Sequence, residues 1–160
     1  MSRKGQSKTR EIVPDTKYGS IIIGKLINAA MKDGKKSVVE KQVFDALELV
    51  KKETSNSDVS VTFEQALDNI KPKVEVRPRR IGGAVYQVPT PVRGNRQYSL
   101  ALRWLVTASR AKANKQYHTF AEKLSSEILL ALKNEGVAVT KRTEVERMAE
   151  ANKAFAHLRW

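Results

Sequence analysis

The spacing of apolar residues departs from the helical period in one segment of this chain, and that segment limits the fold more than any other feature. Up to residue 70, and again from residue 95, apolar residues recur at the intervals of three and four that are typical of amphipathic helices. Between these regions, residues 74–88 alternate about a Gly82-Gly83 pair, which is the pattern of one β-hairpin. We therefore expect an all-α fold with about six helices in one bundle-like domain and a single projecting, basic hairpin at about residues 73–90.

Local signals predict where several helices begin and end. The first helix begins at Ser20 and ends at Asp33-Gly34, and the fifth ends at Gly136. A hydroxyl residue followed three positions later by glutamate predicts capping boxes that start the second helix at Ser37 and the sixth at Thr143. The sixth helix should then turn one side inward, formed by Val145, Met148, Ala149, Asn152 and Ala156.

The length of 160 residues fits one domain, and the 41% hydrophobic content is enough for one modest core. Residues 1–17 lack periodicity and carry basic side chains, so we expect a basic, flexible N-terminal arm there. Residues 18–160 should form a single helical domain.

Residue types exclude several classes of function. The chain has no cysteine, which excludes disulfides, thiolate metal sites and a cysteine nucleophile. Its two histidines, His118 and His157, are too far apart for a close-spaced ligand motif. Apolar runs are too short for a membrane span, and the N-terminus lacks the apolar segment of a signal peptide. We expect no enzyme, cofactor, metal, small-molecule substrate or membrane partner, and a cytoplasmic location.

The net charge of +13 is unevenly distributed. Residues 40–70 carry seven acids against three lysines, whereas residues 71–96 carry seven basic residues against one acid. Residues 103–123 carry five basic residues against one acid, and residues 1–10 carry four basic residues and no acid. Segregation of this kind is typical of a binding surface for a polyanion, most often a nucleic acid. Solvated surface charge is the alternative explanation.

The predicted hairpin carries the most specific of these basic residues. A two-residue Gly82-Gly83 turn pairs Arg79 with Tyr86 and places arginines on both faces of the ribbon. We expect the arginines on both faces to leave the hairpin little apolar surface with which to pack on a core. Guanidinium groups bind phosphates through paired N–H donors, and tyrosine stacks on bases, so the ribbon fits insertion between nucleic-acid strands. An ordinary surface hairpin with solubilising charge is the alternative.

The predicted fourth helix supplies a second basic surface. Arg96, Arg103 and Arg110 recur every seven residues and so lie nearly on one line of the helix, with Arg93 one turn earlier. With no acid at helical pairing distance between them, these cations should repel one another unless an anion neutralises them. An exposed face with arginine stems lying along it is the alternative.

Several segments resemble the bacterial type of the ribosomal protein uS7 family, the seventh protein of the small ribosomal subunit. They are KPKVEVRPRRIGG at 71–83, YQVP at 86–89, ALRW at 101–104 and RMAEANKAFAH at 147–157. The resemblance extends from about residue 12 to the end of the chain, with departures at Thr90-Pro91 and Thr140.

The resemblance implies a six-helix fold with a projecting hairpin and a primary binder of small-subunit ribosomal RNA. It further implies that the chain nucleates assembly of the head through the 3′ major domain of that RNA. In the family, the hairpin and the last helix lie near exit-site transfer RNA and messenger RNA. Neighbouring small-subunit proteins nine and eleven are the implied protein contacts.

The basic pattern and the resemblance together give two sets of candidate residues. We expect contacts with ribosomal RNA from Arg3, Lys4, Arg10, Lys17, Lys35, Lys36, Arg93, Arg96, Arg103, Arg110, Lys112 and Lys115. We expect proximity to exit-site transfer RNA and messenger RNA from Arg77, Arg79, Arg80, Gly82, Gly83, Tyr86, Arg142 and Lys153.

Two other functions fit the sequence less well. A nucleoid protein would insert the basic β-arm into a DNA minor groove, and it would bind duplex DNA as tightly as RNA. An enzyme acting on RNA would need acids or histidines beside the basic surface, and only Glu75 and Glu122 are near it in sequence.

Overall fold

A computed structural model of the protein describes Gly5, residues 12–54 and residues 58–159. The predicted contact residues Arg3, Lys4 and Arg10 lie outside the described residues. The described part contains six α-helices, one 3-10 helix and one antiparallel hairpin, in agreement with a mainly helical chain that carries a hairpin. The elements in chain order are α1 (Ile21–Ala30), α2 (Lys36–Thr54), α3 (Val59–Ile70), β1 (Val74–Ile81), β2 (Ala84–Pro91), α4 (Gly94–Ala111), α5 (Phe120–Leu132), α6 (Val137–Ala151) and the 3-10 helix η1 (Lys153–Leu158).

The hydrophobic core is centred on α5, which contacts α2, α3 and α4. Leu124 and Ile128 of α5 are fully buried, as the helical period predicts. The same holds for the predicted inward positions of α4, which are Ala101, Leu102, Leu105 and Ala108. Burial of this apolar stripe fixes the opposite side of α4, with its arginines, toward solvent.

The hairpin has the register that its turn predicts. Arg77 pairs with Val88, Arg79 with Tyr86 and Ile81 with Ala84. Gly82 and Gly83 both have positive φ angles, 57° and 91°, a conformation that residues with a side chain rarely adopt.

The base of the hairpin packs on the domain, contrary to our expectation. Val88 is completely buried, and Pro89, Thr90 and Val92 are also buried. The covering elements are α6, which contacts both strands, and η1, which contacts β2. The prediction was wrong because it considered the two faces of the hairpin and not its length. Arg79 and Arg80 lie toward the turn, whereas the apolar residues of β2 lie toward the base. The hairpin therefore extends from the domain only toward its Gly82-Gly83 turn.

Both predicted capping boxes are wrong. Ser37 lies within the first turn of α2, which begins at Lys36, and the Glu40 carboxylate instead accepts a hydrogen bond from the Thr16 hydroxyl at 3.2 Å. Thr143 lies in the middle of α6, where its hydroxyl donates to the Val139 carbonyl at 3.1 Å. The capping box that does form joins Thr119 and Glu122 at the start of α5.

The beginning and end of the last helix also differ from the prediction. Gly136 was predicted to end the fifth helix, but α5 ends at Leu132 and α6 begins directly after Gly136. The Glu127 carboxylate accepts a hydrogen bond from the Ala138 N–H at 3.0 Å, a cap supplied by α5 that the local sequence does not reveal. α6 ends at Ala151, and the remaining turn is the 3-10 helix η1. Met148, predicted to face inward, is half exposed.

Residues just before α1 lie against the helices. The Asp15 carboxylate accepts hydrogen bonds from the backbone N–H groups of Tyr18 at 2.6 Å and Ser20 at 2.7 Å. Lys17 forms an ion pair with Glu48 of α2. The part of the predicted arm that the structure describes thus contacts α1 and α2.

Candidate nucleic-acid interface

Five arginines surround one hollow where the hairpin base meets the start of α4. We call it the arginine hollow, and it has a volume of about 490 Å³. Its basic residues are Arg77, Arg79, Arg93, Arg96 and Arg159. Four of them were predicted contact residues, and the fold brings together the two groups that the sequence assigned to different RNAs. Guanidinium groups can bind phosphate oxygens through paired N–H donors, so this hollow is a candidate site for phosphate groups.

Glu75 of β1 connects the hairpin to α4 through two of these arginines. Its Oε1 accepts hydrogen bonds from the Arg77 Nε at 2.6 Å and from the Arg96 Nε at 3.0 Å. The Arg96 Nε also lies 3.1 Å from the Glu75 Oε2. The acid that neutralises the first arginine of α4 therefore comes from the hairpin, not from the helix.

The environment of Glu75 keeps its carboxyl ionised. Burial of Glu75 acts to raise its pKa, but the hydrogen bonds and charges of Arg96 and Arg77 outweigh burial and hold the pKa below its ordinary value. From the sequence, Glu75 is the single acid of a basic segment and one of two acids near the basic surface, and its contact with Arg96 is not predicted. The available signal was the alternation of β1, which places Glu75 on the same face as Arg77 and Arg79.

The distal part of the hairpin presents a smaller basic surface. Arg80 is exposed beside the exposed Gly82-Gly83 turn. Tyr86 is half buried, and its ring packs against the ring of Phe155 in η1 with centroids 5.4 Å apart. Phe155 therefore orients Tyr86 and ties the hairpin to the C-terminal turn.

A second hollow follows α4 toward its C-terminus. It lies between α1 and α4, has a volume of about 480 Å³ and includes Lys25, Arg103 and Arg110 in its lining. Arg103 is exposed, whereas the Arg110 guanidinium donates to the Ala30 carbonyl at the end of α1 at 2.7 Å. The three arginines of α4 thus lie on one exposed side, as predicted, but they differ in their partners.

Other predicted lysines lie apart from these hollows. Lys35 and Lys36 are exposed where α1 connects to α2, and Lys115 is exposed after α4. Lys153 is exposed at the start of η1 and borders a third, largely apolar hollow between α6 and the hairpin base. Lys17 is held by Glu48, and hydrogen bonding to this carboxylate raises the pKa of Lys17.

Two predicted contact residues are directed into the protein. Lys112 forms an ion pair with the buried Glu127 at 3.1 Å and donates to the Ser126 hydroxyl at 2.8 Å. Arg142 donates to the Asn69 carbonyl in the last turn of α3 at 2.5 Å. These contacts hold helices together, and neither residue lines the arginine hollow or the hollow between α1 and α4.

The described residues contain no group of three or more side chains with the donor types and spacing of a metal site. Within the same part of the chain, no helix is both long enough and apolar enough to cross a membrane. His118 is exposed, and its backbone N–H donates to the Glu122 carboxylate at 2.8 Å. Glu122 is therefore part of the cap that begins α5.

Comparison with known proteins gives an independent result. Residues 2–153 match the family described as ribosomal protein S7p/S5e. The chain is 53% identical over 161 residues to the small ribosomal subunit protein uS7 of Granulibacter bethesdensis, and 52% identical over 160 residues to that of Thermodesulfovibrio yellowstonii. Both alignments cover 100% of this chain and 100% of the relative. The chain therefore belongs to the ribosomal protein S7p/S5e family.

Proposed function

We propose that this chain is a structural constituent of the small ribosomal subunit and binds small-subunit ribosomal RNA through the arginine hollow and the exposed side of α4. The observation that carries the proposal is the full-length similarity to proteins named small ribosomal subunit protein uS7. The arginine hollow supports it, since five guanidinium groups around one hollow fit a phosphate backbone. The chain acts in the cytoplasm as part of the ribosome.

The finer part of the proposal concerns the place on the ribosome. The resemblance of the hairpin and the C-terminal segment to the uS7 family supports binding to the 3′ major domain and a role in assembling the head. It also supports proximity of the hairpin tip to exit-site transfer RNA and messenger RNA, and contacts with proteins nine and eleven. The exposed Arg80 and the solvent-facing Gly82-Gly83 turn fit a tip that approaches a second RNA.

The salt dependence of RNA binding tests the ribosomal RNA surface. Arg93 and Arg103 are exposed, so the double variant R93Q/R103Q should fold normally and lose two phosphate contacts. Its plot of log affinity against log salt for a 3′ major domain transcript should be shallower by about 1.5, at roughly 0.7–0.9 for each contact. Affinity at low salt should fall about tenfold or more.

A matched control separates this surface from net charge. The variant K51Q/K52Q removes the same charge from two exposed lysines in the last turn of α2, within the acidic segment 40–70. It should keep the slope of the parent protein. Equal slopes for R93Q/R103Q and the parent would contradict the proposed surface, and equal affinity for duplex DNA would favour the nucleoid alternative.

The hairpin tip needs a separate experiment because it concerns a different RNA. Charge reversal at Arg80 should leave binding to the 3′ major domain transcript within about twofold, because Arg80 lies outside the arginine hollow. Reconstituted small subunits that contain R80E should retain exit-site transfer RNA less well. Unchanged retention would refute the proposed position of the tip.

A further inference from the structure

Glu75 is a negative charge placed against a surface that we propose binds a polyanion. By charge alone it should weaken binding, since it lies in direct contact with two arginines of the arginine hollow. The side chain is only 9% exposed, which adds a cost of burial. A carboxylate in this position requires a compensating role.

The geometry around Glu75 indicates what that role is. Arg77 contacts Oε1 with both its Nε and its Nη2, each at 2.6 Å. Arg96 uses its Nε for both carboxylate oxygens. The side chains of Arg77 and Arg96 nevertheless remain 50% and 51% exposed. A guanidinium has five N–H donors in one plane. Glu75 therefore holds one edge of each guanidinium group, while the rest of the group stays exposed to solvent.

We propose that Glu75 is a positioning residue for RNA, which holds Arg77 and Arg96 in the orientation in which they donate to phosphate oxygens in the arginine hollow. The inference rests on the RNA-binding function proposed above. Long arginine side chains lose rotational freedom when they bind, and a protein that orders them beforehand avoids that loss at the moment of binding. The buried carboxylate supplies this order for one arginine of the hairpin and one of α4.

The proposal predicts a change in affinity opposite in sign to the one expected from net charge. The variant E75Q removes a negative charge near the RNA, so a purely electrostatic argument predicts tighter binding. In E75Q one oxygen can still accept, but the charge is lost and an NH2 group faces the guanidinium donors, so both arginines are held less firmly. We therefore expect affinity for the 3′ major domain transcript to fall about tenfold. The matched control E64Q makes the same charge change at an exposed position of α3 and should bind at least as tightly as the parent protein.

A double-mutant cycle between Glu75 and Arg96 is the decisive experiment. R96K keeps the charge of Arg96 and loses the planar fork, so it should weaken binding of the transcript several-fold in the parent protein. In the E75Q background the same change should have little further effect, because the fork is no longer oriented. Thermal unfolding of each variant measures stability separately, and a role confined to stability would leave the affinities additive.

The possible results separate this inference from the proposed function. Weaker binding by E75Q, with non-additive effects in the cycle, supports the positioning role. Equal or tighter binding by E75Q, while R93Q/R103Q is weakened, overturns the positioning role and leaves RNA binding intact. Absence of transcript binding by the parent protein overturns both. If E75Q does not fold, R96K is compared with R103K, and equal affinities of these two variants overturn the positioning role.

Discussion

The ion pair between Lys112 and Glu127 gives the sharpest prediction about stability. Glu127 is 1% exposed and lies in α5, while the Lys112 side chain is 13% exposed and follows α4. One carboxylate oxygen of Glu127 pairs with the Lys112 ammonium at 3.1 Å, and the other accepts from the Ala138 N–H of α6 at 3.0 Å. This single carboxylate therefore joins three helices. We predict that E127Q destabilises the protein strongly although glutamine has nearly the same shape.

The expected loss of unfolding free energy depends on which buried charge each variant leaves without its partner. Removing one partner of a buried ion pair costs about 3–5 kcal/mol because the other charge stays buried and uncompensated. In E127Q the amide oxygen can still accept from Ala138, and Lys112 keeps the Ser126 hydroxyl and some access to water. We therefore expect the lower end, about 3 kcal/mol of unfolding free energy. K112M leaves the more deeply buried charge and should cost at least as much.

Urea unfolding followed by circular dichroism at fixed ionic strength measures these changes. In the double variant K112M/E127Q neither charge remains, so the total loss should be about 1 kcal/mol, well below the sum of the single losses. The control E144Q breaks an exposed ion pair with Lys141 and should cost no more than about 0.5 kcal/mol. A loss below about 1 kcal/mol for E127Q, or additive losses in the double variant, would refute the reasoning.

Three further predictions concern other parts of the fold. The pKa of the Glu75 carboxyl is below its ordinary value of 4.5, so the ionised carboxylate stabilises the folded protein. The difference in unfolding free energy between the parent protein and E75Q should therefore be constant above pH 4.5 and shrink as pH falls through the lowered pKa. A difference that grows in acid would contradict this. G136A should cost about 2 kcal/mol or more in urea unfolding, because φ is +96° and an added Cβ would lie 2.9 Å from the Glu127 carboxylate, whereas G94A, with nothing within 4 Å of its Cβ, should be neutral. F155A should remove the ring contact with Tyr86 and speed amide hydrogen exchange in residues 153–158, while F155L should have a smaller effect; unchanged exchange in F155A would show that the contact does not hold η1.

The features predicted correctly from the sequence depend on neighbours along the chain. The hairpin register follows from the Gly82-Gly83 turn, because a two-residue turn determines every pair of the ladder. The buried side of α4 follows from the helical period, which also predicts that Arg96, Arg103 and Arg110 share the exposed side. These predictions use only local geometry, and each is confirmed.

The helix starts were mispredicted where contacts from other helices decide them. The Ser37 and Thr143 motifs have the spacing of a capping box, but both occur inside helices that had already begun. The start of α6 is fixed by Glu127, which lies on another helix, 11 residues before the Ala138 N–H that it accepts. A two-residue motif does not determine where a helix starts when a buried carboxylate on another helix already accepts the N–H of its first turn.

The density of basic residues in the sequence predicts RNA contacts but does not show what each side chain touches. It includes Lys112, which pairs with the buried Glu127 in the structure. It does not predict that Arg159 lines the arginine hollow or that Glu75 contacts Arg96. Each of these assignments depends on a contact between segments distant in sequence.

The net charge of +13 therefore overstates the number of phosphates that this protein can bind. α1 and α3 have no basic residue in their own last turns, and each receives a guanidinium from another helix at a carbonyl near its C-terminus: Arg110 at Ala30 and Arg142 at Asn69. A cation at this end of a helix is favourable because the unpaired carbonyls carry partial negative charge. These arginines stabilise the fold whether or not RNA is present. Variants at Arg110 or Arg142 should therefore lower stability, whereas a reduced salt slope at unchanged stability is expected from variants at Arg93 and Arg103.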